Sequence, residues 1–229
     1  FFSLSLGMGM LITYGSYIND DNNIISSATL ITLTDVGIAF LAGLIVFPFV
    51  FSSGIETQGG PGLIFQVFPQ IFQELGGLTG IIIGSTFFIL LSFAAITSTV
   101  SLLEVPVSYL VDEYKIERKY SVWIVAIVIL LIGIPSVFSQ GKSIFFSEFI
   151  TYFGSEKPID FMQFIIDVSN DTLLPFGGFM ITIYVAYIWK KNNLTEEISK
   201  GNPKYKGSLM EKYINFSITY ICPLILGSI

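Results

Sequence analysis

Apolar residues run along this chain in long stretches, not in the short amphipathic periods of a soluble domain. Five stretches, around 27–53, 80–111, 120–139, 161–189 and 209–229, reach the roughly 20 mostly apolar residues that a lipid-spanning helix needs. Residues 1–18, FFSLSLGMGMLITYGSYI, are also apolar but are interrupted by Ser3, Ser5, Gly7 and Gly9, a density of small and hydroxyl residues that weakens a helix. The pattern predicts an all-α integral membrane protein. Its helices fall at about 1–18, 27–53, 82–113, 120–139, 161–189 and 209–229, the first broken and resuming from Gly9 to Tyr17. The connection 54–80 carries Gly59, Gly60, Pro61 and Gly62 and an amphipathic piece, LIFQVFPQIFQEL; long ordered connections are often functional. The whole reads as one transmembrane domain, 1–229. It opens and closes inside helical patterns and is expected to be a fragment of a longer chain.

Composition supports the class. Hydrophobic residues make up 52% of the chain and charged residues 12%, about half the charge of a soluble domain. The position of the charge says more than the net −6. Lys115, Arg118, Lys119, Lys190, Lys191, Lys200, Lys204, Lys206 and Lys212 fall in two connections, and Lys142 and Lys157 in another. Basic residues favour the cytoplasmic side, so 113–120 and 190–212 are expected inside, and 51–80 and 140–160 outside. Cys222 lies in an apolar run and offers no disulfide. The sequence has no metal-ligand cluster of His, Cys and acids, no phosphate-binding glycine loop and no basic nucleic-acid patch.

Polar residues inside the apolar stretches are the candidates for chemistry. Asp35, in TLTDVGIAFLAG, falls about 8 residues from its helix start, roughly 12 Å deep. A charge there costs about 2.5–3.5 kcal/mol on insertion scales. It is either a structural acid paired with a donor on another helix or a hard oxygen ligand for a cation from solution; the depth of the basic residues favours the cation. In FAAITSTVS, Ala94, Thr97, Ser98 and Ser101 stand at i, i+3, i+4 and i+7 and share a helix face. Their hydroxyls either bond back to the preceding turn or, with a carbonyl, form a neutral oxygen site. Gly7-Met8-Gly9 is either a close helix contact or, with Ser3 and Ser5, a break. Broken segment, acid and hydroxyls fall near the middle of a ~30 Å core, where secondary transporters bind ligands on interrupted helices. Asp112 and Glu113, and Asp167 and Asp171, are interfacial charges or gate groups. Glu104 is flanked by apolar residues and is expected to hydrogen-bond to the broken helix.

These motifs resemble a known family. FFSLSLGMGMLITYGSY closely resembles the sixth transmembrane segment of the neurotransmitter:sodium symporters, especially the bacterial amino-acid members. TLTDVGIAFLAG resembles their seventh segment, FAAITSTVSLLEVPVSYLVDE their eighth and DTLLPFGG their tenth. The resemblance implies the inverted-repeat bundle of the leucine-transporter fold, with this chain covering segments six to eleven. Segments one and three, which supply much of the substrate and sodium sites, would lie outside it.

The resemblance also implies roles. Phe2 would lid the substrate, and Ser3 would bind the first sodium and border the substrate. Ser5, Met8, Ser98 and Leu102 would line the pocket, Met8 replacing an aromatic seen in some members. Asp35 stands where the family often has an Asn ligand for the first sodium. Ala39 stands where chloride-dependent members carry a Ser, so chloride is not expected. Ala94 (by its carbonyl), Thr97 and Ser98 would hold the second sodium. Tyr17 and Asp112 match the intracellular gate, and Asp167 the extracellular gate acid.

The implied function is sodium-coupled amino-acid symport by alternating access, in a multi-pass protein of the plasma (inner) membrane. Its partners would be an amino acid, two sodium ions and lipid, with no nucleic acid and no enzymatic step. One competitor is an intramembrane aspartyl protease using Asp35 and Asp167. Such a dyad needs its carboxyls within a few Å, yet the two fall at different depths, and the YD and GxGD motifs of those proteases are missing. The other is a fragment that does not itself transport.

Overall fold

The computed structural model describes residues 3–52, 63–141, 143–153 and 157–228. Phe2 and the Gly59–Gly62 run lie outside these residues. Between turns and connections, the regular structure of the described residues is helical, apart from one isolated antiparallel bridge between Ile150 and Ile159. Four helices are long and apolar enough to cross a membrane: Ile24–Pro48, Gly77–Asp112, Arg118–Ser139 and Phe161–Gly201. The chain divides into two compact units, one of Phe1–Ser26 with Ser101–Ile229 and the other of Ser27–Val100.

In the first unit, the opening segment is broken as its composition predicts. A 3-10 turn, Leu6–Met8, lies between two left-handed residues, Ser5 (φ 48°) and Gly9 (φ 81°). Gly9 takes that conformation without the Cβ clash that other residues meet. The chain then resumes as α1 (Met10–Gly15). After α5 (Arg118–Ser139) and the short α6 (Ile144–Ser147), α7 (Phe161–Ile166) starts on an Asp160 cap whose carboxylate accepts the Gln163 N–H at 2.8 Å. A π-helical stretch, Asp167–Leu173, leads into α8 (Leu174–Ile183) and a second, Tyr184–Lys190, follows it.

At Lys190 the backbone turns left-handed (φ 74°) and leaves the helix direction, close to the end expected at 189. What the hydrophobic pattern does not predict is α9 (Lys191–Gly201), inside the expected 190–212 loop. KNNLTEEISKG is mostly polar, so an apolar-run criterion passes over it, yet Thr195 and Ile198 are buried. The next helix, α10 (Leu209–Phe216), is capped by Ser208, which accepts the Glu211 N–H at 3.1 Å, while Glu211 accepts from the Gly207 N–H and from Thr195 Oγ1 at 3.1 Å. This is the reciprocal S-x-x-E capping arrangement, with the return bond shifted to Gly207 and a tie to α9 added. A π-helical Ser217–Ile221 and α11 (Cys222–Gly227) complete the unit.

The second unit holds α2 (Ile24–Ser52) from Ser27 onward, α3 (Phe68–Glu74) and the first two-thirds of α4 (Gly77–Asp112). The amphipathic piece of the 54–80 connection folds as a π-helical Leu63–Val67 running into α3. A turn through Gly76 (φ 67°) and Gly77 (φ 54°) then starts α4 at Gly77, ahead of the expected 82. That reversal packs Phe68 and Phe72 against Phe87 with tilted rings, centroids 4.9 and 5.5 Å apart. Val50, Val67, Phe68 and Ile71 form the buried core of this unit.

Three of the π-helical stretches share a cause in the sequence. Each is followed by a helix whose second residue is proline: Phe68-Pro69, Leu174-Pro175 and Cys222-Pro223. Proline has no N–H to donate to the regular ladder and clashes with the preceding turn, so the helix widens just ahead of it.

Candidate functional site

The break packs against α8 through bare backbone. A Cβ on Gly7 would run into the carbonyl of Leu174 and approach the Gly178 nitrogen, and one on Gly177 would run into the carbonyl of Gly7. Glycine at both positions lets the two backbones touch, which joins the first-segment motif to LLPFGG of the DTLLPFGG motif. Ser3 is exposed, and Ser5 and Met8 are half-buried beside this contact. Within the break, the Met8 N–H donates to Ser5 O at 3.0 Å and the Thr13 N–H to Gly9 O at 3.0 Å.

Beyond α1 the chain makes one further turn, with the Tyr17 N–H donating to Tyr14 O at 3.1 Å. Both phenols reach the later part of α4. Tyr14 Oη donates to Ser101 Oγ at 2.6 Å, and Tyr17 Oη to Glu104 Oε1 at 2.8 Å. Arg118, the first residue of α5, closes on the same carboxylate in a two-pronged pair, Nη1 to Oε1 at 2.9 Å and Nη2 to Oε2 at 2.6 Å. Glu104 therefore bonds to the turn that follows the broken helix, as its apolar flanks suggest. It is largely covered, with its side chain 13% exposed against 61% for Arg118. Asp112 is the last residue of α4, and the Tyr17 hydroxyl bonds to Glu104.

Among the oxygen-site candidates, Thr97 Oγ1 donates to Ala94 O at 2.9 Å, so two of the three residues stand as an adjacent oxygen pair. Ser92 and Thr99 bond back similarly, to Phe88 O and Ala95 O at 2.8 Å. Asp35 is half-buried on α2 and Ala39 is exposed one turn later; Leu102 lies beyond Ser98 on α4.

At the start of the Asp167–Leu173 stretch, both Asp167 oxygens accept bonds. Tyr152 Oη donates to Oδ2 at 3.0 Å, and Gln163 Nε2 to Oδ1 at 2.7 Å. Burial and the nearby Asp167 carboxylate push the Tyr152 phenol above its usual pKa. The Ile150–Ile159 bridge closes the loop that carries Tyr152.

Tyr14, Arg118, Tyr152 and Gln163 were not legible as site residues. Tyr14 and Tyr17 stand three apart, as do Ser101 and Glu104, and that matched spacing was the one signal present in the sequence.

A family model described as the sodium:neurotransmitter symporter family matches residues 1–229. An uncharacterized sodium-dependent transporter, YhdH of Bacillus subtilis, is 32% identical over 98% of this chain and 47% of its own length. An uncharacterized sodium-dependent transporter of Methanocaldococcus jannaschii is 31% identical over 87% of this chain and 39% of its own. Among solved structures, MhsT in complex with L-phenylalanine superposes with a TM-score of 0.85 at 35% identity, covering 98% of this chain and 48% of that one. The chain spans about half the length of the relatives it matches.

Proposed function

This chain belongs to the sodium:neurotransmitter symporter family, and on that premise we propose that it forms the later half of a sodium-coupled amino-acid symporter of the plasma (inner) membrane. The observation that carries the reading is the helix break between Ser5 and Gly9, seated backbone to backbone on α8. A break of this kind frees backbone groups at mid-membrane, where transporters bind the charged ends of their substrates. The amino-acid class is supported by MhsT, whose solved complex holds L-phenylalanine. That the relatives are sodium-dependent transporters speaks against a protease acting through Asp35 and Asp167.

In this reading Phe2, Ser3, Ser5, Met8, Ser98 and Leu102 border the substrate. Ser3 and Asp35 serve one sodium and Ala94, Thr97 and Ser98 a second, each completed by earlier segments. Both ions are co-transported cargo. Moving one charge down the membrane potential yields roughly 2.3 kcal/mol per 100 mV, and a tenfold sodium gradient adds about 1.4 kcal/mol per ion. Chloride is dispensable, because Asp35 supplies a fixed negative charge beside the sodium and Ala39 has no hydroxyl to hold an anion. Tyr17, Asp112 and Asp167 serve the two gates.

The test is uptake by the reconstituted full-length protein with gluconate as the only small anion. An inward sodium gradient is expected to drive accumulation of at least one amino acid from a mixed pool. Uptake that ignores sodium overturns the symport, and uptake that appears only when chloride is restored overturns the chloride assignment.

A further inference from the structure

The geometry points to Tyr14 and Ser101 as a positioning pair that couples the segment after the break to the sodium face proposed on α4; this rests on the transporter reading above. Tyr14 Oη donates to Ser101 Oγ at 2.6 Å. Three residues further along both elements, Tyr17 Oη donates to Glu104 Oε1 at 2.8 Å. Equal steps of three keep both donors on one side of the α1 turn and both acceptors on one face of α4, so the contacts are successive rungs between the same two elements.

The rungs differ in chemistry. The Tyr17 rung ends on a carboxylate that Arg118 also grips with both guanidinium arms, so it is charge-assisted and braced from a third element. The Tyr14 rung joins two neutral hydroxyls. Neutral bonds contribute a modest net stabilisation because water replaces the partners when they separate. A contact of that strength can form and part in every transport cycle while still biasing the equilibrium.

Position gives the rung its role. Ser101 shares its helix face with Ala94, Thr97 and Ser98, and follows Ser98 by three residues and Thr97 by four. Leu102 is its neighbour. On the other element, Tyr14 follows Met8 and the Gly9 turn within α1. On α4 the residues assigned to sodium, Ala94, Thr97 and Ser98, therefore precede the rung by up to two turns, and Leu102 adjoins it. Sodium held on the Ala94–Ser98 face steadies the turn of α4 that ends at Ser101 and so favours the Tyr14–Ser101 bond, and the closed bond in turn steadies that face. Coupling of this kind is reciprocal, so deleting either hydroxyl weakens sodium binding although neither residue touches the ion.

The experiment is amide hydrogen exchange on the full-length protein in vesicles, read over residues 10–17 while sodium gluconate replaces choline gluconate. Sodium is expected to slow exchange of this segment in the wild type. Tyr14→Phe and Ser101→Ala are each expected to raise the sodium concentration for half-maximal protection about 2–10-fold, the range a neutral hydrogen bond supports. The double variant is expected to go no further than either single one, since both remove the same interaction. Ser101→Thr, which keeps the hydroxyl, is expected to stay near wild type. If sodium protects the wild type and both single variants at equal concentrations, or if the two effects multiply, the rung is overturned alone. If sodium protects nothing, the transporter reading falls and the rung with it.

Discussion

Thr97 and Thr99 stand two apart on α4 and both donate to a carbonyl of the preceding turn, at 2.9 and 2.8 Å. Local hydrogen bonding cannot distinguish them; function can. Thr97 belongs to the Ala94–Ser98 face proposed to hold sodium, and Thr99 points elsewhere around the helix. Replacing Thr97 and Ser98 together by Ala removes two hard oxygens, each contributing about 1–3 kcal/mol. The sodium concentration for half-maximal uptake is expected to rise at least several-fold, with Thr99→Ala unchanged. Equal behaviour of the two variants in a sodium titration would mean that back-bonding is the whole role of these hydroxyls. At this scale the sequence was most legible where a polar side chain interrupts an apolar run, as at Asp35 and Thr97. Arg118 was legible only as loop charge, because its pairing with Glu104 depends on how the 113–117 connection returns the chain. Asp167 stood out as an acid, whereas Tyr152 and Gln163, which hold its two oxygens, could not be singled out without the loop fold.

Among the elements, the break was the clearest expectation and the contact it makes was the least foreseeable. Ser3, Ser5, Gly7 and Gly9 announce a weak helix, but nothing local says that Gly7 meets Gly177. The two glycines are expected to be intolerant for steric reasons. Gly7→Ala places a methyl on the Leu174 carbonyl, and overpacking of that kind costs about 1–3 kcal/mol. The melting temperature of the detergent-solubilised full-length protein is expected to fall by several degrees. Gly15→Ala, with open space around it, serves as the comparison and is expected to stay within a degree or two. An equal fall in both would place the cost outside the contact. The long apolar helices were read to within a few residues. α9 was missed because its burial involves only Thr195 and Ile198 in a polar sequence. The early start of α4 was missed because a two-glycine turn looks like loop until its φ values are known.

The whole molecule is defined by what it leaves open. Among the described residues of the apolar stretch of α2 that qualifies it to span a membrane, none is buried within this structure, and Leu33, Ile38 and Phe40 are each more than 60% exposed. A lipid-facing surface accounts for part of such exposure, and the remainder matches a chain spanning about half the length of its relatives. Residues 1–229 expressed alone and reconstituted are therefore expected to give no sodium-driven uptake above empty vesicles, since in the proposed reading other segments complete both sodium sites. Uptake by the isolated piece would show that these segments are dispensable.

The backbone contact between Gly7 and Gly177 also imposes an order on biosynthesis. The ribosome delivers the break long before the helix that seats it, by roughly ten to thirty seconds at about 5–20 residues per second. Throughout that interval a segment with a left-handed Ser5 and an interrupted hydrogen-bond ladder must wait without its partner. Until α8 arrives, whatever shelters the break from lipid has to be something other than its final partner.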